Sequence, residues 1–342
     1  MAETANCIGV LIPKAEAEDY IRLLLRKDAV RKDLKIEKSG DFILVPLKGN
    51  YRVEGYGTLE HVFETRARPR SPSVDVNREL LRLGLPDEFP QAFVRYGKAV
   101  MVRPFRGSDD PRVLRVIAEV IGADRIYLLT GRISDDMRHP SVMLAYGEPG
   151  ILRHRENGIT YCFDPQRVMF SPGNVNERVA AADLAAAGST VFDMFSGIGY
   201  FSLPIAKYSR AARVYCTDIN PDAIEFLRMS ASINNVSSVI EAFNRNCLDY
   251  TPGAKVDIAV MGNFKSLEYV DHAYGCLKDS GTLILHFLLD TSRISEIERY
   301  LLDRLSYLPA ALEVSRKRIV KSYAPNQWHI SASVRVRKDR NP

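Results

Sequence analysis

The stretch Val-Phe-Asp-Met-Phe-Ser-Gly-Ile-Gly-Tyr-Phe at positions 191–201 constrains this chain's fold more than any other. An apolar run closes on Asp193, Gly197 and Gly199 follow, and a helix is predicted from near Tyr200 with Pro204 in its first turns, where a missing N–H costs least. Strand, glycine turn and helix in that order make the opening unit of a doubly wound sheet, whose ligands sit at the carboxyl ends of the strands. STVFDMF, ARVYCTDI, KVDIAVMG and GTLILHFLL then alternate with helical segments, as in a parallel sheet covered on both faces. The fold expected is α/β, with a C-terminal doubly wound, mostly parallel Rossmann-like domain behind smaller N-terminal α+β modules.

The turn reads D-x-x-S-G-x-G rather than G-x-G-x-x-G. A dinucleotide needs its pyrophosphate on a helix N-terminus, whereas a nucleoside with a methionine tail offers an ammonium that a carboxylate such as Asp193 can approach. Asp218 closes the second strand at the spacing expected of an acceptor for both ribose hydroxyls. Asn220, Pro221 and Asp222 then cap a helix, and Asn246 or Asp249 in NRNCLDY is placed to meet an adenine amino group. Phe195, Ile219, Cys247 and Gly262 border these points and complete the cofactor-binding candidates on this stretch. A glycine pair alone also suits an ordinary tight turn; the ordered acidic strand ends favour the ligand.

With 342 residues the chain exceeds one ordinary domain. Residues 1–65 read as an accessory module, with CIGVLIP and DFILVPL as strands and a helix over Ala15 to Arg26. Residues 66–73, rich in arginine, proline and serine, read as a linker. Residues 74–164 form a middle α+β domain, with a helix started by Pro111 and a hairpin turning at Asn157-Gly158, and residues 165–342 form the cofactor domain.

Net charge is only +5, but basic residues gather at Arg66, Arg68 and Arg70, at Arg153 and Arg155, and at Arg316, Lys317, Arg318 and Lys321. Such clusters fit a polyanion and equally a set of solvated faces. Cys7, Cys162, Cys216, Cys247 and Cys276 form no C-x-x-C pair and lack histidines at ligand spacing, so neither a metal site nor a disulfide framework is expected. With no membrane-length apolar run and no signal-like start, the expectation is a cytoplasmic monomer.

FDMFSGIGYFSLPIAKY followed by VYCTDINPDAIEFL resembles the tRNA guanine-N1-methyltransferase and wybutosine-synthesis group of class I S-adenosylmethionine enzymes. The likeness extends upstream through ENGITYCFDPQRVMFSPGNVNER and downstream through VKSYAPNQWHISASVRV. The methyltransferase branch carries Asn-Leu-Pro or Asn-Pro-Pro after the fourth strand; here Val260 to Lys265 reads VMGNFK, without proline. MFSPGN at Met169 to Asn174 resembles instead the wybutosine-synthesizing protein 2 family, which transfers the 3-amino-3-carboxypropyl group.

That resemblance implies S-adenosylmethionine as co-substrate, without metal, and C7 of 4-demethylwyosine beside the anticodon of phenylalanine tRNA as acceptor. It also implies Ser171 and Arg178 as holders of the cofactor's carboxylate or adenosine. The basic clusters would grip the tRNA, and Tyr323 or Trp328 could stack a base or simply pack on the sheet. No general base stands out. Asn263 and His286 are the catalytic candidates, with His329 beside Trp328 a further possible base, and a structural role is open to either histidine. Guanine-N1 methylation, or a silent cofactor-binding RNA chaperone, are the alternatives.

Overall fold

The computed structural model describes residues 4–339 except 50, 52, 54, 66–70 and 132–139. The chain forms two compact units, Met1–Ser71 and Pro72–Pro342. Among the described residues no helix is long and apolar enough to cross a membrane.

The first unit comprises β1 (Thr4–Pro13), α1 (Ala17–Arg26), β2 (Glu37–Ser39), β3 (Phe42–Pro46) and β4 (Thr58–Glu64), with strand order β2-β3-β1-β4 and every pairing antiparallel. Alternation in β1 sends Val10 and Ile12 beneath α1, where they meet Leu24 and Val45. Leu44 and Phe63 join Leu34 in a separate small cluster.

The second unit opens with α2 (Pro72–Arg82), β5 (Phe93–Tyr96), β6 (Ala99–Val102), α3 (Pro111–Ile121), β7 (Arg125–Leu129) and β8 (Val142–Tyr146), whose strands form one sheet in the order β5-β6-β7-β8. The helix predicted from Pro111 is bounded by local chemistry. Asp110 accepts from Arg112 N at 2.8 Å, Pro111 fills the first turn, and Gly122 ends the helix at φ 68°. The hairpin of β9 (Leu152–Glu156) and β10 (Ile159–Phe163) turns through Asn157 and Gly158 at φ 50° and 78°, as two adjacent positive-φ residues require.

There follow α4 (Val175–Ala181), β11 (Thr190–Asp193), α5 (Ser202–Tyr208), β12 (Arg213–Asp218), α6 (Pro221–Ile233), β13 (Ile240–Asn244), β14 (Val256–Met261), α7 (Val270–Cys276), β15 (Leu277–Asp290), α8 (Ile297–Leu305), β16 (Ala310–Ala324) and β17 (Gln327–Lys338). Their sheet runs β13-β12-β11-β14-β15-β17-β16; the first five strands are parallel, and β17 and β16 add antiparallel pairings. The doubly wound, mostly parallel fold read from the sequence is therefore present. The helix after the glycine turn begins at Ser202 rather than near Tyr200.

Two apolar layers flank the sheet. One includes Ile205, Phe226, Val191 and Val260, the other Phe192, Leu285, Val270 and Leu301. Tyr96, Met101 and Tyr127 of the smaller sheet belong to the first layer, so the segment read as a middle domain shares its core with the cofactor domain. The edge strand β16 follows β17 through three register shifts, between Val314 and Arg316, Ile319 and Lys321, and Ser322 and Ala324.

Candidate active site

The sheet reverses its winding between β11 and β14, and a cavity of about 340 Å³ lies there, lined by residues that follow β11, β12, β13 and β14. Gly197 takes φ 52°, and a Cβ on it would come within 2.7 Å of the Tyr200 ring. Its N–H donates to Asp218 Oδ2 at 2.8 Å, while Asn220 N donates to Oδ1 at 2.9 Å. The two bonds hold a carboxylate at the cavity wall, where two vicinal hydroxyls could donate to it.

Ile219, with 44% of its surface exposed, and buried Cys247 border the same region, an apolar frame suited to a flat base. Burial pushes the Cys247 thiol up to about 11, so it is protonated at neutral pH and no nucleophile. Phe195 and Asn246 also line the cavity, and Asn246 Oδ1 accepts from Leu248 N at 3.0 Å. Together these residues fit an adenosine.

Three expectations need correction. Asp193 is fully buried, outside the cavity lining, and accepts from Ser202 Oγ at 2.5 Å. Burial raises its pKa to about 7 against the bonds that favour its charge, so it braces α5 on β11 instead of meeting an ammonium. Gly199 also stands off the cavity: at φ 96° its missing Cβ would fall within 2.8 Å of Leu227 and Leu203, so it serves helix packing. Asp249 is exposed and outside the lining.

Ser171 and Arg178 do line the cavity. Arg178 Nε and Nη2 donate to Glu156 Oε1 and Oε2 at 2.6 and 2.8 Å, Nη1 donates to Ser171 O at 2.9 Å, and the guanidinium lies 4.6 Å from the Phe170 ring centre. Tyr96 Oη donates to Phe170 O at 2.6 Å, and Tyr200 Oη to Met169 O. Three side chains thus fasten the carbonyls of Met169, Phe170 and Ser171, and Arg178 acts by shaping this wall. Sequence reasoning missed Glu156 and Tyr200. Strand parity was the available signal for Glu156, since Arg153 and Arg155 are exposed while Leu152, His154 and Glu156 point inward.

The opposite wall is the turn after β14. Gly262, Asn263, Phe264 and Lys265 all line the cavity. Asn263 Oδ1 accepts from Lys265 N at 2.9 Å and its carbonyl from Ser266 N at 3.0 Å, so this catalytic candidate closes the turn. Ser266 Oγ donates to the His286 carbonyl at 2.7 Å, tying the turn to β15. His286 and His329, both 2% exposed, line the cavity and share a hydrogen bond of 2.8 Å between Nδ1 and Nε2. Burial foremost, then His329 and Arg316, lower the His286 pKa to about 3, which keeps it neutral.

The basic candidates disperse. Lys321 lines the cavity, Arg153 and Arg155 are exposed on β9, Lys317 pairs with Glu298 at 2.7 Å, and Arg318 with Glu177 at 3.1 Å. Arg316 is exposed, and Arg66, Arg68 and Arg70 lie outside the described residues. Tyr323 is exposed, its ring edge-on to Phe264 at 4.9 Å. Trp328 packs in the second apolar layer and donates from Nε1 to Thr291 at 3.1 Å, which removes it as a stacking platform at the cavity.

Residues 152–304 match the TRM5/TYW2 methyltransferase domain, and residues 9–53 the tRNA methyltransferase 5 N-terminal domain. The tRNA(Phe) (4-demethylwyosine(37)-C(7)) aminocarboxypropyltransferase of Pyrococcus horikoshii is 33% identical over 281 residues, 76% of this chain and 96% of that protein. The chain belongs to the TRM5/TYW2 family. The tRNA (guanine(37)-N(1))-methyltransferase Trm5b of Pyrococcus abyssi is 30% identical over 96% of this chain and 99% of its own. The crystal structure of P. horikoshii TYW2 in complex with MeSAdo aligns with a TM-score of 0.67 at 30% identity, covering 78% of this chain and 100% of that one. The fold is that of class I S-adenosylmethionine methyltransferases.

Proposed function

We propose that this chain moves the 3-amino-3-carboxypropyl group of S-adenosylmethionine to C7 of 4-demethylwyosine beside the anticodon of tRNA-Phe, releasing methylthioadenosine. The observation that carries the reading is the turn after β14. Its cavity wall is Gly-Asn-Phe-Lys where the methyltransferase branch of the resemblance places an asparagine–proline clamp on the methionine part of the cofactor. The likeness to the P. horikoshii aminocarboxypropyltransferase supports it.

A bound sulfonium supplies three carbons activated by one leaving group, and the carbon that reacts is the one the acceptor reaches in line. Asp218 holds the ribose, Ile219 and Cys247 frame the adenine, and the wall fastened by Arg178 and Tyr200 positions the amino-acid arm. Phe195, Gly197, Asn246, Gly262 and Ser171 complete the cofactor's surroundings. Lys321 at the cavity, Arg153 and Arg155 on β9, exposed Arg316, and the arginines of residues 66–70 are the tRNA contacts proposed here; Lys317 and Arg318 contribute from their ion pairs. A tRNA substrate goes with a cytoplasmic enzyme.

Guanine-N1 methylation is the second reading, favoured by the match of residues 9–53 and by the alignment with Trm5b along 96% of the chain. Incubation with S-adenosylmethionine and undermodified tRNA-Phe separates the two. Methylthioadenosine with a carboxypropylated base supports the proposal, and S-adenosylhomocysteine overturns it in favour of methylation. If no group reached the RNA, a silent binder would remain. Affinity for tRNA should fall steeply with salt.

A further inference from the structure

Carbon alkylation leaves a proton to be removed. When C7 of the acceptor bonds to the carboxypropyl Cγ, the Cγ–S electron pair leaves on sulfur as methylthioadenosine. C7 is then tetrahedral, still bears its hydrogen, and the ring carries a positive charge. Aromaticity returns only when that proton goes to a base.

Three ionisable side chains on the cavity are committed elsewhere. Asp218 receives two backbone N–H groups, Arg178 is forked onto Glu156, and the Cys247 thiol is held protonated by burial. His286 differs at its Nε2, and it stands beside His329. They sit on adjacent strands with side chains on the same face, joined at 2.8 Å. His286 is fixed at its carbonyl by Ser266 Oγ, and its ring lies 5.1 Å from that of Phe201. His286 Nε2 is buried and has no hydrogen-bond partner among the described residues. A buried polar atom left unpaired in a residue that lines the cavity requires a reason.

Resting on the transferase reading above, we infer that His286 and His329 form a proton-accepting pair for the acceptor carbon. His286 takes the C7 proton at Nε2 and passes its Nδ1 proton to His329 Nε2, so the gained charge is carried away from the reacting carbon. The Phe264 and His329 ring centres lie 4.8 Å apart with their planes 77° to one another, and both residues line the cavity. The low pKa of His286 is compatible with this role, because a neutral imidazole is always ready and the protonated tetrahedral carbon is far more acidic than an imidazolium.

The test uses the full chain, S-adenosylmethionine, and tRNA bearing 4-demethylwyosine with hydrogen or deuterium at C7. His286→Asn keeps a polar atom at the Nδ1 position for His329 and deletes Nε2. Its kcat should fall about 100-fold or more, with cofactor affinity by calorimetry within about twofold of wild type. Deprotonation should become rate-limiting, so a C7 isotope effect well above the wild-type value appears. His329→Gln, which accepts a hydrogen bond but no proton, should behave alike and serves if His286→Asn fails to fold. A fall in kcat below about threefold, or a larger fall without a rise in the isotope effect, overturns the inference. If wild type forms no methylthioadenosine, the transferase reading itself fails; if it does and the variants keep pace, only the histidine pair fails.

Discussion

Replacing Arg178 by methionine measures what the buried ion pair behind the Met169–Asn174 wall contributes. Arg178 is 2% exposed and Glu156 13%, and removing one partner of such a pair strands a charge at a cost of about 3–5 kcal/mol. The carboxylate gives an independent figure. Burial alone would raise the Glu156 pKa, yet Arg178 and His154 hold it down from 4.5 to about 2, a gap worth roughly 3 kcal/mol. Because the folded value lies below the unfolded one, this stabilisation is complete above pH 4.5 and drains away as pH falls toward 2. About 2 kcal/mol of it should be gone by pH 3. Urea unfolding of wild type and Arg178→Met should therefore differ by about 3–5 kcal/mol at pH 7, and the difference should shrink by at least about 2 kcal/mol at pH 3. Adding Glu156→Leu should recover much of the loss, since no buried charge then remains unpaired. A difference below about 1 kcal/mol at pH 7, or one equal at both pH values, would refute the reasoning.

Asp218→Asn removes the charge that the Gly197 N–H holds and that the proposed function assigns to the ribose hydroxyls, and calorimetry should find cofactor binding weaker by about 1.5–3 kcal/mol with the product unchanged. Gly199→Ala forces a Cβ to within 2.8 Å of two leucines at φ 96°, so thermal melts should record a loss of about 2–4 kcal/mol with little change in cofactor affinity for the folded fraction. Asp193, raised from 3.8 to about 7, disfavours its charged form in the fold; wild-type stability should decline as pH rises from 4 to 7, and Asp193→Asn should flatten that slope. A chain beginning at Pro72 should fold and bind S-adenosylmethionine, because the residues of the cavity all lie beyond that point, and it should lose tRNA affinity in filter binding.

Legibility in the sequence followed the range of the interactions. The Asn157-Gly158 turn and the Asp110–Gly122 boundaries of α3 rest on neighbours a few residues away, and each was readable; Asp218 was read as the end of the second strand of the parallel sheet, where β12 does close. Asp193 was misread because a strand end does not reveal which way its side chain turns, and Ser202, nine positions on, claims it. Glu156 with Arg178 and His286 with His329 are separated by 22 and 43 residues and were brought together only by folding. The terminal hairpin went unassigned because the shifts in β16 break the period-two pattern that marks a strand.

Those shifts bear on the protein's solubility. A 15-residue outermost strand offers a long row of main-chain groups on which another molecule could add, the usual seed of fibrous association. Three interruptions and the cationic run Arg316-Lys317-Arg318 deny an incoming strand any matching length of regular backbone. The sheet can therefore reach past the catalytic layer, carrying Lys321 and His329 to the cavity, without becoming a template for polymerisation.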